Sequence, residues 1–212
     1  MLVLQGLQQL PDGLVQHGVL DVRGQVGERL QHEAPLVQEE VWDVQLVGTA
    51  DHAVSVQENV EAPFLEQAHL PMDVVHDLAA LKIRLAGLPD NAGSLRPSEL
   101  SGGMRKRAGV ARAIALDPDL LFLDEPTAGL DPIAANEFDE LIRTLRDALG
   151  LTVFMITHDL DTLYTICDRV AVVADRKIVA VAPVAELEKS DHPWIKQYFR
   201  GPRGRAVQEK HR

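Results

Sequence analysis

From residue 71 onward the apolar positions fall into regular periods, and before about residue 53 they do not. Pro71 opens a helix in which Val74, Leu78, Leu81 and Leu85 lie on one face, with Gly87 and Pro89 ending it, the pattern of a surface helix with a buried stripe. Ser101 caps a second helix over 102–116, where Arg105, Lys106, Arg107 and Arg112 leave Ala108, Ala111, Ile114 and Ala115 to face inward. "LLFLDE" is a short continuous apolar run, as expected of a strand buried on both faces. A helix follows from about Ile133, with Phe138, Leu141, Ile142 and Leu145 as its stripe and Gly150 as its stop. "LTVFMITHD" then reads as another buried strand, "DLDTLYTICD" as a short helix, and "RVAVVADRKIVAVA" as a hairpin turning at Asp175-Arg176. Strands alternating with helices predict an α/β fold built on a largely parallel sheet.

The first 52 residues behave differently. They contain no Lys, Ile, Phe, Tyr, Asn, Ser or Cys, and carry eight glutamines and eight acids against only Arg23 and Arg29. The first lysine of the chain is Lys82. Neither a 3.6 nor a 2.0 period persists through "VRGQVGERLQHEAPLVQEEVWDVQLVG". Two readings fit: a divergent, glutamine-rich subdomain, or a segment foreign to the rest of the fold, such as a shifted reading frame or a rearranged start.

Composition bounds the remaining choices. With 212 residues, 46% of them hydrophobic, the chain can bury a core in one large domain or a domain with a subdomain. A formal charge of −11 argues against a nucleic-acid binder, since phosphate backbones are held by a surplus of Lys and Arg. Cys167 is alone, so no intrachain disulfide forms; a reducing compartment and a small buried hydrophobe are the simple readings. "MLVLQGLQQLPDG" has neither a basic leader nor a long apolar run, and no stretch approaches the ~20 apolar residues that cross a bilayer. The chain therefore reads as soluble or peripheral. The basic end, "RGPRGRAVQEKHR", reads as a solvated tail, with contact to anionic lipid as the alternative.

Three small clusters can carry chemistry. Asp124 and Glu125 end the "LLFL" strand, the edge where α/β sheets gather functional groups. Asp124 can hold Mg2+ and Glu125 can orient and deprotonate a water, although an acidic pair there also serves as a plain loop start or helix cap. His158 ends the next strand and can sense a terminal phosphate if the two strands are neighbours; alone, it is equally a structural histidine. "LSGGM" offers the Ser101 hydroxyl, the open backbone of Gly102 and Gly103, and a following helix N-terminus, or else no more than a cap with a flexible lead-in.

Taken in order, these pieces give residues 54–199 a resemblance to the ABC-type ATPases. "LSGGM" resembles the signature motif, "LLFLDE" the Walker B strand, "AGLD", ending at Asp131, the D-loop, and His158 the switch histidine. Met104, "RAIALDPDLLFLDEP" and "DPIAA" are similar to the Mla or toluene-tolerance branch, whose members energise phospholipid movement with Mce-type partners. The resemblance implies a P-loop-NTPase-like fold with a helical subdomain set against a membrane permease. It also implies ATP and Mg2+ as ligands, shared between this chain and a second ATPase protomer: Asp124, Glu125 and His158 would serve one site, while Ser101, Gly102, Gly103 and Asp131 would face the other. The implied layout is an atypical segment over 1–53, a helical subdomain over 54–100, a catalytic core over 101–199 and a basic tail over 200–212. The implied location is the cytoplasmic face of the membrane, held peripherally.

One part of the family pattern is missing. A Walker A loop, G-x-x-x-x-G-K-[ST], forms a nest of backbone N–H groups for phosphate, and its lysine neutralises the terminal phosphates. No glycine in this chain precedes a lysine. The loop's expected position falls at or before Met1, and the family's Q-loop glutamine would fall near residue 46, with Gln45 the nearest candidate. The expectation is an ABC transporter ATP-binding subunit truncated or altered before its helical subdomain. The alternatives are a non-catalytic partner lending a signature face to an intact ATPase, and a soluble ABC protein acting on DNA or ribosomes, which the acidic balance disfavours.

Overall fold

In a computed structural model of the chain, the described residues are 2–4 and 54–211. The readings made for residues 5–53, Gln45 among them, lie outside them. In chain order, β1 (Leu2–Leu4) is followed by α1 (Val56–Gln67), α2 (Met72–Leu85), α3 (Gly102–Ala113) and β2 (Leu120–Asp124). Next come α4 (Pro132–Leu149), β3 (Thr152–Ile156), α5 (Leu160–Ile166) and the strands β4 (Arg169–Ala174) and β5 (Lys177–Ala182). The chain closes with α6 (Val184–Leu187), α7 (Pro193–Arg200) and α8 (Pro202–Lys210). The described residues divide into two compact units, 54–151 and 2–4 with 152–211.

In the first unit, α1 starts at a capping box: the Glu58 amide donates to Ser55 Oγ, and the Glu58 carboxylate accepts from the Ser55 amide at 2.6 Å. Val56, Val60 and Phe64 of α1 share one core with Val75, Ala79 and Ile83 of α2 and with Ala108, Ala111 and Ala115. The stripe expected on α2 is corrected here. Val75 and Ala79 are fully buried, whereas Val74, Leu81 and Leu85 are 39%, 42% and 38% exposed and Leu78 only borders the core. The helix is turned so that the small Ala79 and Ala86 face the neighbouring helices, which lets the backbones approach. Lys82 goes inward with them because its ammonium donates to the Asp117 carboxylate. Alanines carry little weight in a hydrophobic pattern, and a lysine is normally assigned to solvent, so the pattern points to the wrong side.

The other expectations for this unit fare better. Ala108, Ala111, Ile114 and Ala115 are buried as expected, although α3 itself ends at Ala113. In α4, Phe138, Ile142 and Leu145 are buried, and Gly150 closes the helix at φ 70°, a left-handed position that suits glycine. Leu121 and Leu123 of β2 are buried, with Asp124 exposed at its end.

In the second unit, β3 and β4 run in the same direction, each paired antiparallel with β1 between them: Val3 lies opposite Met155 on one side and Val170 on the other. The β4–β5 hairpin turns at Asp175 and Arg176, whose φ values of 50° and 62° are those of a type I′ turn. Cys167 is half-buried rather than fully buried, with its Sγ 3.6 Å from the Thr162 carbonyl. Residues 202–210, read as a solvated tail, form α8 instead. Lys210 Nζ donates to Asp161 at 2.7 Å, and the His211 ring stacks on Tyr164 with centroids 5.5 Å apart. Among the described residues no helix is long and apolar enough to cross a membrane.

Candidate functional site

The site is built around the start of α3. Ser101 has extended backbone and its Oγ accepts the Met104 amide at 3.2 Å, which makes it the N-cap. The same hydroxyl keeps its proton, so it remains a donor for an anion that docks against it. Arg105 donates to the Leu100 carbonyl at 2.6 Å and fixes the strand of chain leading into the helix. At the opposite wall, the Asp131 carboxylate accepts the Ile133 and Ala134 amides, both at 3.0 Å, capping α4. Ser101, Gly102, Gly103, Gly129, Leu130 and Asp131 line one cavity of about 470 Å³. The four residues assigned by resemblance to the partner-facing side thus share one wall system.

The two glycines of the signature stretch are informative because none of the described residues packs against them in a way that demands glycine. A Cβ on Gly103 would meet no atom within 4 Å, and one on Gly102 would make only ordinary contact with Leu130 at 3.7 Å. Glycine in the first turns of a helix costs about 0.5–1 kcal/mol relative to alanine. Bare backbone at these positions leaves the start of α3 open for close approach. Gly129 differs: its φ of 77° requires glycine for the turn alone.

Sequence reasoning missed the pair that edges this cavity. Arg107 Nη2 donates to the Glu137 carboxylate at 3.3 Å, and its guanidinium passes so close to Gly87 that a Cβ there would sit 2.5 Å from Nη1. Arg107 had the pattern of a solvated helix face. The available signal was Gly87, which has φ 69° and was legible only as a helix stop.

Asp124 and Glu125 follow β2, outside the cavity lining. Glu125 has φ 43°, a left-handed backbone that a non-glycine residue adopts at a cost of about 1–2 kcal/mol. Its carbonyl accepts the Ala128 amide at 3.1 Å and Lys106 Nζ at 3.4 Å. Burial pushes the Lys106 ammonium below its ordinary range, against the upward pull of the Glu125 charge. Among the described residues no group of three His, Cys, Asp or Glu side chains is placed to hold a metal. A single carboxylate is still compatible with Mg2+, which binds phosphate complexes through one or two carboxylates plus phosphate and water. Exposed Asp124 offers one.

His158, in the other unit, follows β3 with its side chain exposed. Its carbonyl accepts the Tyr198 hydroxyl of α7 at 2.7 Å.

A helix that begins at a serine-glycine-glycine cap, an acidic pair closing a buried strand and a histidine closing another define the ATPase class that the sequence motifs resemble. The chain belongs to the ABC transporter family, whose pattern matches residues 5–128. It is 39% identical over 158 residues to the intermembrane phospholipid transport system ATP-binding protein MlaF of Haemophilus influenzae, covering 74% of this chain and 60% of that protein. It is 40% identical over 148 residues to MlaF of Escherichia coli K12, covering 70% of this chain and 55% of that protein. The chain thus spans somewhat more than half the length of these curated relatives. Among solved structures, cbiO1 from Clostridium perfringens, part of the ABC transporter complex cbiONQ, aligns with a TM-score of 0.60 and 28% identity over 74% of this chain and 62% of that one. The ATP-binding cassette MJ0796, solved as a dimer bound to ADP and phosphate, aligns with a TM-score of 0.57 and 25% identity over 66% of this chain and 59% of that one. These likenesses agree with the P-loop-NTPase-like α/β fold and with an ATP-binding subunit resembling the Mla branch.

Proposed function

We propose that this chain works as one protomer of an ABC ATPase pair that energises phospholipid transport, held peripherally at the cytoplasmic face of the membrane by a permease and served by an Mce-type lipid-binding partner. The observation that carries the reading is the open Gly102-Gly103 backbone at the start of α3, beside the Ser101 hydroxyl and the Asp131 wall. This is a surface suited to the terminal phosphates of a nucleotide seated on the opposite protomer. In this reading Asp124 contributes a carboxylate to Mg2+, which would supply charge neutralisation at the phosphates. Glu125 takes the proton of the attacking water, and His158 faces the terminal phosphate from its own strand end. The exposed Val74, Leu81 and Leu85 face of α2 supports a permease contact through the helical subdomain over 54–100.

A second reading is favoured by the lack of any Gly-Lys pair in the sequence: the chain supplies only its signature face to an intact ATPase subunit. One measurement tests the nucleotide site of the isolated chain and a second separates the two readings. Calorimetric titration of the isolated chain with MgATP is expected to show weak binding, and micromolar affinity would contradict the missing nest. In a mixed assembly with an intact homologous subunit, Glu125→Gln lowers hydrolysis by ~10²–10⁴ if this chain is catalytic. If it only lends its face, Glu125→Gln changes nothing while Ser101→Arg abolishes the stimulation. Loss of neither would sink both readings.

A further inference from the structure

The His158 backbone is held by its neighbours Thr157 and Asp159 and by one residue that belongs to no motif, Tyr198, 40 residues further along the chain. The connection from β3 to α5 is three residues, 157–159. Its near side is fixed where the Asp159 amide donates to the hydroxyl of fully buried Thr157 at 3.0 Å. Its far side is fixed where the Asp159 carboxylate accepts the Asp161 amide at 2.9 Å and caps α5. Between them lies the His158 peptide plane, and its carbonyl is gripped by the Tyr198 hydroxyl across 40 residues of sequence. That hydroxyl is itself aimed by packing. The Tyr198 ring stacks on Trp194 with centroids 5.0 Å apart and planes within 9°, and meets Phe199 edge-on at 5.2 Å. Phe199 and Ile195 are buried, so α7 is seated on the unit by its other face. The same end of the chain grips α5 again through Lys210 and His211, both on the Asp161 carboxylate.

We propose that Tyr198 is a positioning residue: its hydroxyl fixes the backbone of His158 and thereby the direction of the imidazole. The proposal rests on the reading of His158 as the histidine that faces the terminal phosphate, and deepens it by making the α7–α8 segment part of that machinery. A hydrogen bond to a main-chain carbonyl next to the side chain in question sets ψ of that residue, and the imidazole follows the backbone that carries it. Phenylalanine at 198 keeps the ring that stacks on Trp194 and removes the hydroxyl that makes this bond.

The test uses the full chain, carbon-13 labelled at histidine, with the His158 ring resonance assigned by its disappearance in His158→Gln. Tyr198→Phe is expected to shift and broaden the His158 cross-peak. The cross-peaks of His69 and His76, which lie in the other unit, are expected to stay in place. Amide exchange over 157–166 is expected to quicken about 2- to 12-fold, the loss of one net hydrogen bond. A His158 resonance unmoved in Tyr198→Phe overturns the proposal, as does a shift reproduced only by Trp194→Ala, which would assign the effect to ring packing. Movement of His69 and His76 as well would mark a general loss of structure and would also count against it. No nucleotide enters this readout. Failure of the ATPase reading, seen as hydrolysis by the mixed assembly that is indifferent to His158→Gln, therefore stands apart from failure of the Tyr198 anchor.

Discussion

Two alanine substitutions in α2, two residues apart, distinguish the buried helix face from the face that the large apolar residues suggest. Ile83→Ala and Leu81→Ala delete the same number of carbons, but Ile83 is 3% exposed and Leu81 42%. At about 0.8 kcal/mol per buried methylene the transfer term for Ile83 is ~2.4 kcal/mol. The cavity left among Val75, Ala79 and their neighbours carries the cost into the range of ~2–4 kcal/mol. For Leu81 only about half the transfer term applies, water fills the space, and the better helix propensity of alanine offsets a few tenths more, leaving less than ~1 kcal/mol. Amide exchange of residues 72–85 followed by mass spectrometry reads the difference directly, since each 1.4 kcal/mol of opening free energy is about tenfold in exchange. Ile83→Ala should exchange roughly 30- to 1000-fold faster than the parent and Leu81→Ala less than about fivefold faster. Equal effects, or a larger one at Leu81, would show that the Val74, Leu78, Leu81 and Leu85 stripe is the buried one and that the helix is turned the other way.

Four further outcomes rest on single contacts. Asp117→Ala strands the buried Lys82 ammonium and should cost ~1–3 kcal/mol in urea unfolding, whereas Lys82→Met, which removes the charge and keeps the stem, should stay within about 1 kcal/mol of the parent; equal losses would refute the pairing. Gly204→Ala puts a Cβ into the Phe199 carbonyl, so it should lower stability by ~1–3 kcal/mol and strip exchange protection from 202–210; an unchanged exchange map would mean that α7 and α8 do not meet there. Gly103→Ala should do the reverse, raising stability by ~0.5–1 kcal/mol because its Cβ meets nothing, while lowering hydrolysis in a mixed assembly; a stable variant with full activity would remove the reason given for the bare backbone. At Asp161 partial burial pushes the carboxyl up, but hydrogen bonds and charge from Lys210 and His211 outweigh it and hold the group below its ordinary value. A depressed carboxyl contributes stability above its unfolded value, near pH ~4, and loses it as pH falls through the folded one, so protection of 202–210 should collapse in acid before that of α4; simultaneous loss would argue against the clamp.

Caps, stops and turns were more legible in the sequence than the packing around them. Ser101 and Gly150 were readable because capping and left-handed termination impose residue types at fixed places, and both play those parts; Asp131, read only as the end of the D-loop motif, caps α4 as well. The Asp175-Arg176 turn was readable because two β-rich runs flank it closely, although neither residue is the glycine or asparagine that such a turn favours. The buried face of α2 was not, because a pattern weighted toward Leu and Val ignores Ala79 and Ala86 and sends Lys82 to solvent. Helix α8 was not, because a run of charges has no apolar stripe of its own; its position depends on Asp161, some 50 residues earlier in the chain, and on the close approach allowed by Gly204.

The same division runs through the candidate site. Several motif residues sit beside a support that has no motif: Lys106 donates to the carbonyl of the strained Glu125, Arg107 and Glu137 edge the cavity that Gly102 and Gly103 line, and Tyr198 holds the His158 carbonyl. A residue that delivers a proton or a phosphate contact must be of one chemical type, so a motif preserves its identity. A support need only present a donor at the right point, and many side chains can do that from many positions in the chain. In the proposed reading the sequence names the candidate reacting groups and leaves their aim to contacts visible only in three dimensions. Substitutions at Lys106 or Tyr198 should accordingly perturb Glu125 or His158 while leaving every recognisable motif intact.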